Sequence, residues 1–365
     1  MKKVLVFGMT VNPGGVESVI MNYYRHMNKQ KIQFDFLCNC PHIAYEDEIK
    51  ALGGKIFKIT SRKENYWRFK TELKKFMKEN ASKYDMLWVN LCSLVNIDYL
   101  VYAKKYGIKK RIIHCHNSSN DAGLMKGIIH MINKKRIGCL ATDFWSCSEE
   151  AAPWFFSKKI IRSDKFRIIP NAIDVKKFEP NIGIRNSLRK ELGLEDMIVI
   201  GHVGRFHFQK NHIFLIEIFE ELYKRNSNYR LLLVGQGELE TNIREKVISK
   251  GLSEKVIFCG VRTDVEKLYQ AMDLFILPSI FEGLGVVALE AQACLLPCLL
   301  SDTTPSVVKV NENLTFMSLC KDSSTWANMA EQMLNLPLPQ NNMPGSIYDI
   351  YTQVSKFENH LINWG

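Results

Sequence analysis

The sequence predicts an α/β protein made of two doubly wound, parallel-sheet domains in series. Three observations predict it. Short apolar runs alternate with stretches of helical spacing, which is the pattern of βαβ units. The same alternation restarts in the second half of the chain, after a polar and basic stretch near 175–196. The chain has 365 residues, too many for one typical core and enough for two.

In the first half VLVFGM (4–9), FDFLCN (34–39), KIFKIT (55–60), DMLWVN (85–90), RIIHCH (111–116), DFWSCS (143–148) and FRIIPN (166–171) read as strands. Such near-continuous apolar runs fit a parallel sheet covered on both faces. Helical spacing fills the gaps, as in VESVIMNYYRHM (16–27) and FKTELKKFMKE (69–79). In the second half the strands are IVIGHVG (198–204), LLLVG (231–235), VIFCG (256–260), LFILPS (274–279) and PCLLS (297–301). The expected domains are 1–174 and 175–345. The tail, 346–365, follows Pro344 and Gly345 and reads as a helix that crosses back to the first domain. Ligands of doubly wound sheets bind outside the carboxyl ends of the strands. With two such sheets facing each other, the expected site is the cleft between them.

Composition narrows the partners. A hydrophobic share of 46% and a charged share of 24% are ordinary for a soluble globular chain, which sets aside disordered and fibrous classes. No window approaches the roughly 18 apolar residues of a membrane span. The N-terminal apolar run reads as a strand, not as a targeting segment, so a cytoplasmic protein is expected. Cys92, Cys139, Cys259 and Cys298 fall in apolar runs and are expected to be buried, reduced thiols. Cys38-Asn-Cys40-Pro-His42 lacks a second pair of ligands and is not read as a metal site. Lys and Arg number 49 against 38 acidic residues, a formal charge of +11. That balance suits an anionic ligand, an anionic membrane surface or nucleic acid. Nucleic acid is set aside, because the chain has neither a recognition motif nor an aromatic-rich basic platform. LMKGIIHMINKKRIG (124–138) is apolar with clustered Lys and Arg. It reads either as an amphipathic helix at an anionic leaflet or as a packed helix with a basic end. The first reading makes the protein peripheral at the inner face of the cell membrane.

Candidate site residues sit where strands should end. Gly14 and Gly15 follow the first strand and precede a helix, whose N-terminus favours anions. His114 and His116 end the fifth strand, followed by Asn117, Ser118 and Ser119. His116 is closer to the loop and is the better candidate to bond a sugar hydroxyl or to act as acid or base. Arg205 and Lys210 flank a strand-to-helix junction and suggest a pyrophosphate. Gly235-Gln236-Gly237 opens like a dinucleotide fingerprint, but Glu240 stands at the third glycine, so it reads as a tight turn. In FEGLGVVALE (281–290) a carboxylate stands on each side of a glycine turn that opens a helix. Glu282 precedes the turn, and Gly283 and Gly285 permit close approach. Glu290 lies about 7 Å into the helix at about 1.5 Å per residue. Carboxylates accept bonds from hydroxyls and repel phosphate, whereas helix N-terminal amides attract it. That order matches a nucleotide sugar: sugar hydroxyls, diphosphate, ribose diol.

These residues carry a family resemblance. FEGLGVVALEAQA resembles the E-x7-E signature of retaining glycosyltransferases of the GT-B fold, the glycosyltransferase group 1 family. NPGGVES, RIIHCHNS, IIPNAIDVKKF, GHVGRFHFQKNH, VIFCGVRTDVEKLYQAMDLFILPS and LPCLLSD resemble further family segments in the family's order, and RIIHCHNS is similar to capsular and exopolysaccharide transferases. The resemblance implies a metal-independent enzyme with no bound cofactor. It would transfer a hexose or N-acetylhexosamine from a nucleotide-diphosphate sugar, with UDP favoured. The acceptor would be a glycan or lipid-linked glycan in surface polysaccharide synthesis. It implies roles as well. Arg205 and Lys210 would bind the diphosphate and stabilise the leaving nucleotide. Glu290 would hold the ribose. Glu282 would contact the sugar, with the backbone of Gly283, Leu284 and Gly285 nearby. Val261 and Arg262 would flank the base. Gly15 would sit under the diphosphate, and Gly14, His116 and Asn117 would lie on the sugar and acceptor side. Retention comes from the family alone, because no closely paired nucleophile and acid can be read. A GT-B nucleotide-sugar epimerase or a non-catalytic partner subunit is the second reading. Two departures from the pattern are Ala172, where P-N-G has glycine, and Leu295, where a glycine often precedes Leu-Pro.

Overall fold

The computed structural model describes residues 1–117 and 123–363; Ser118 and Ser119 lie outside the described residues. The chain divides into two units. The first is Met1–Ala172 together with the tail from Ile350, and the second is Ile173–Asp349.

The first unit holds β1 (Lys2–Phe7), β2 (Ile32–Cys38), β3 (Ile56–Lys58), β4 (Met86–Leu91), β5 (Lys110–Cys115), β6 (Asp143–Ser146) and β7 (Phe166–Ile168). They form one parallel sheet in the order β3-β2-β1-β4-β5-β6-β7. Val4 pairs with Phe34 on one side and with Met86 on the other. Val4, Leu5, Val6, Phe34, Phe36, Leu87 and Trp88 are buried, as a sheet covered on both faces demands. Strand order reverses between β1 and β4, so their carboxyl ends open the crevice where such sheets take ligands. The tail forms the helix Ile350–Ile362, which packs in this unit. Its Phe357 ring stacks on Tyr23 of the helix Gly15–His26 at 4.2 Å.

The second unit holds β8 (Ile198–Val203), β9 (Tyr229–Val234), β10 (Val256–Phe258), β11 (Leu274–Leu277), β12 (Cys298–Ser301) and β13 (Leu314–Met317). They form a parallel sheet ordered β10-β9-β8-β11-β12-β13. Ile200 is matched by Leu231 and Leu274, and all three join one core with Leu215, Phe219 and Trp326. The reversal here lies between β8 and β11. The edge strand β13 is not visible in the sequence pattern. Its LTFM stretch is short, and only Leu314 is fully buried.

The burial expected of the cysteines holds for Cys298 alone among the four named. Cys92 and Cys139 are exposed and Cys259 is intermediate. Cys139 lies on the outer face of the helix Leu124–Leu140, so the apolar run around it does not mark a buried face.

Candidate functional site

In the second unit the site grows from the carboxyl ends of β8 and β11. After β8 comes Gly204, and then Arg205. The chain makes a short turn over Phe208–Lys210 and enters the helix His212–Arg225 through Asn211. After β11 comes Pro278-Ser279-Ile280-Phe281-Glu282. The two loops are tied together. The Ile280 amide donates to the Gln209 carbonyl at 2.7 Å. The Gln209 side chain donates to the Phe281 carbonyl at 2.9 Å. These ties bring together two predicted residues 72 positions apart: Lys210 Nζ donates to Glu282 Oε1 at 2.6 Å. Glu282 is 6% exposed, and the Lys210 side chain 15%.

The same carboxylate oxygen accepts from the Ser279 hydroxyl at 2.5 Å. Ser279 is itself held from β12. Its carbonyl accepts from the hydroxyls of Ser301, at 2.6 Å, and Thr303, at 2.7 Å. Sequence reasoning assigned no role to Ser279, Ser301 or Thr303. The signal was a hydroxyl at each strand end, in LPS and LLSD.

Beyond Glu282 the chain turns through Gly283 and Leu284 to Gly285, which sits in the left-handed region at φ 84°. A side chain would be strained there. Val286–Ala293 follows as a helix. Among the described residues none accepts from the amides of Gly283, Leu284 or Gly285, so this N-terminus is polar and positive. Glu290 lies inside that helix. Its Oε2 accepts from the Tyr269 hydroxyl at 2.9 Å, and the Lys177–Glu266 pair, 3.2 Å long, stands near it. Burial pushes the Glu290 carboxyl up to about 7, against the pull of Tyr269 and Lys177, and Glu266 adds to the rise. Tyr269 is a further residue missed in the sequence, where it sits in an unremarkable helical stretch.

The remaining predicted residues of this unit lie farther out. Arg205 is exposed and pairs with Glu238 at 3.0 Å. Glu238 follows the Gly235-Gln236-Gly237 turn. A side chain at Gly235 would meet the Gly204 carbonyl at 2.1 Å, so the turn serves backbone packing against the Arg205 loop. Val261 is exposed beyond β10, and Arg262 is held by both carboxylate oxygens of Asp264 at 2.8 and 2.9 Å.

In the first unit the predicted residues gather at the ends of β1, β4 and β5. Asn90, on β4, donates to the Phe7 carbonyl at 3.2 Å and accepts from His116 Nε2 at 2.9 Å. Burial pushes His116 down to about 3, with Asn171 opposing. A neutral, buried imidazole is a hydrogen-bonding group at neutral pH. His114 is wholly buried beside Trp88 and is a core histidine. Asn117 follows β5 and its carbonyl accepts from the Cys115 thiol. Gly14 caps the helix that starts at Gly15, and a side chain at Gly15 would meet no protein atom within 4 Å. Glu17, overlooked in NPGGVES, organises this loop. Its carboxylate is 5% exposed and accepts from the Thr10 amide at 3.0 Å and the Thr10 hydroxyl at 2.6 Å. A side chain at Gly14 would fall 2.8 Å from Glu17 Oε2.

Two family models cover most of the chain: glycosyl transferases group 1 over residues 184–344, and glycosyltransferase family 4 over 13–177. The Bacillus subtilis protein EpsF, named only as a glycosyltransferase, is 34% identical over 334 residues, 89% of this chain and 86% of that one. The chain belongs to the glycosyltransferase group 1 family. An Escherichia coli protein named UDP-Gal:alpha-D-GlcNAc-diphosphoundecaprenol alpha-1,3-galactosyltransferase is 33% identical over 142 residues, 38% of this chain and 37% of that one. Among solved structures, Anabaena Alr3699/HepE in complex with UDP and glucose superposes with a TM-score of 0.80 at 17% identity, over the whole of both chains. At that identity the likeness gives the fold, which is GT-B: two Rossmann-like parallel-sheet domains.

The two departures of this glycosyltransferase from the family pattern differ in physical cost. Ala172 is buried with no left-handed backbone, and its carbonyl accepts from Asn22 at 2.9 Å, so alanine fits. Leu295 sits at φ 59°, just past the helix Val286–Ala293, where glycine would be unstrained.

Proposed function

We propose that this glycosyltransferase transfers a hexose or N-acetylhexosamine from a UDP-sugar to a glycan or lipid-linked glycan acceptor in surface polysaccharide synthesis. We further propose that it retains anomeric configuration and uses no metal. The observation that carries the reading is the Lys210–Glu282 pair beside the Gly285 helix N-terminus, at the topological switch of the second sheet. The name of the Escherichia coli relative supports the UDP donor and the lipid-linked acceptor.

In this reading the donor diphosphate lies against the amides of Gly283–Gly285 and draws Lys210 to it, with Arg205 swinging from Glu238. Fixed cations and amides aimed at the leaving group stabilise the charge that grows as the sugar–phosphate bond breaks. Glu282, relieved of part of its hold on Lys210, accepts from sugar hydroxyls, and Glu290 accepts from the ribose diol. The departing phosphate oxygen takes the acceptor hydroxyl proton on the same face, so the new bond forms with retention. The roles of Gly14, Gly15, His116 and Asn117 rest on the family resemblance alone.

The test is nucleotide release across a panel of nucleotide sugars, with and without EDTA, and the anomeric configuration of the product by NMR. One UDP-sugar is expected to turn over, EDTA to leave the rate unchanged, and the product to keep the donor's configuration. Lys210→Ala should lower kcat about 100-fold or more. An inverted product, loss of activity in EDTA, or a Lys210→Ala variant as fast as wild type defeats the corresponding part of the proposal.

A further inference from the structure

The helix Leu124–Leu140 is built the wrong way round for a helix that only packs. An ordinary surface helix turns its apolar stripe to the core and its polar face to water. Here the inward face carries His130, Asn133 and Ile137. His130 accepts from the Leu94 amide at 3.1 Å through Nδ1, and its Nε2 donates to the Trp154 carbonyl at 2.9 Å. Asn133 donates to the Leu94 carbonyl at 2.7 Å. The helix is therefore fastened by polar bonds. Leu124, Met125, Ile128, Met131 and Ile132 are left between 47% and 82% exposed. They are not scattered. Leu124, Ile128 and Met131 follow one another at four and three residues, as do Ile128, Ile132 and Lys135, so they share one stripe.

The charge on this helix selects the occupant. It carries Lys126, Lys134, Lys135 and Arg136 and no acidic residue. Lys135 continues the apolar stripe by one turn, and it is exposed together with Lys126 and Arg136. Two copies meeting through this face would bring like charges together. Five side chains on one helix are also few beside the roughly 20 residues a side of a stable protein interface. An anionic leaflet satisfies both halves at once. Apolar side chains enter the headgroup–acyl boundary, and flanking cations meet the lipid phosphates.

We propose that the outer face of Leu124–Leu140 docks the protein on an anionic membrane surface. The inference is independent of the donor chemistry, because it needs no substrate in the site.

The experiment is sedimentation of the full chain, without donor, with vesicles of phosphatidylglycerol and phosphatidylcholine, and with vesicles of phosphatidylcholine alone. The expected result is binding to the anionic vesicles that weakens at about 0.5 M salt. The Ile128→Glu/Ile132→Glu variant should bind at least about tenfold more weakly, with unchanged circular dichroism, since both side chains already face water. Three outcomes overturn the proposal. The first is no binding to anionic vesicles at low salt. The second is equal binding by the variant. The third is a wild-type dimer, seen by light scattering, that the variant dissociates, which would make the face a self-association surface.

Discussion

Glu290 is the residue whose charge state should be visible in the enzyme's behaviour. Its carboxyl titrates near 7 in the folded chain and near 4.5 without the fold. If it grips the ribose as an ionised acceptor, donor KM falls as pH rises from about 6 to about 8. The fall is at most about tenfold, the change in the ionised fraction across that range. Glu290→Gln should abolish this dependence, and a variant that keeps the wild-type profile assigns it to another group. Stability runs the other way. The folded carboxyl holds its proton more tightly than the unfolded one, so stability is lost as pH rises from about 4.5 to about 7 and is level above. Glu290→Gln should flatten that slope in a series of melting curves. Lys210 and Glu282 pose a different question, because they are at once a buried ion pair and proposed catalytic groups. Removing one member of such a pair leaves the other uncompensated, at a cost of about 3–5 kcal/mol. Lys210→Met alone should therefore lose both activity and stability. Lys210→Met with Glu282→Gln should regain most of the stability and none of the activity. Denaturant melts of the four members of this cycle check it. Equal stability loss in the single and the double variant would mean that the pair does not account for the cost.

At the scale of the element, the helix Val286–Ala293 shows what a sequence can and cannot disclose. Its start is legible, since glycines between a strand and a helical run announce a turn. The partners are not legible. Ser279, Ser301 and Thr303 converge on one loop only because β11 and β12 are neighbours in the sheet. Tyr269 reaches Glu290 across 21 residues for the same kind of reason. Strand β13 escaped because an edge strand buries too little to leave a long apolar run. Cys139 is exposed although it lies in an apolar stretch, because its helix turns apolar side chains outward. The end of the helix yields a prediction. Leu295 holds a left-handed backbone that costs an L-residue about 1–2 kcal/mol. Glycine escapes that cost but loses more freedom on folding, about 0.5–1 kcal/mol. Leu295→Gly should stabilise the second unit by about 0.5–1 kcal/mol, a rise of about 1–4 °C in its Tm. A lower Tm would mean that the partly buried leucine side chain outweighs the strain.

At the scale of the whole molecule, the chain leaves its first unit after Ala172 and returns to it at Ile350, so the first unit is closed by a segment far along the chain. That closure is centred on Phe357. Its ring lies 4.2 Å from Tyr23, 5.3 Å from Trp88 and 5.7 Å from Trp145, measured between centroids. All three partners are buried. Polar ties add to it: the Asn28 amide donates to Glu358 and Lys110 Nζ donates to the His360 carbonyl, both at 2.5 Å. Emptying the Phe357 site removes a large aromatic side chain from a core that cannot refill it, at a cost of about 3–5 kcal/mol. The second unit has its own core, built on Ile200, Leu231, Leu274 and Trp326, and Phe357 is no part of it. Phe357→Ala should therefore lower one calorimetric transition by roughly 6–20 °C, at about 2–4 °C per kcal/mol for a unit of this size, and leave the other in place. A chain ending at Asp349 should lose the first transition and expose Tyr23, Trp88 and Trp145 to quenchers, while the second transition persists. If Phe357→Ala moves both transitions together, the two cores unfold as one, and the tail stabilises the molecule as a whole.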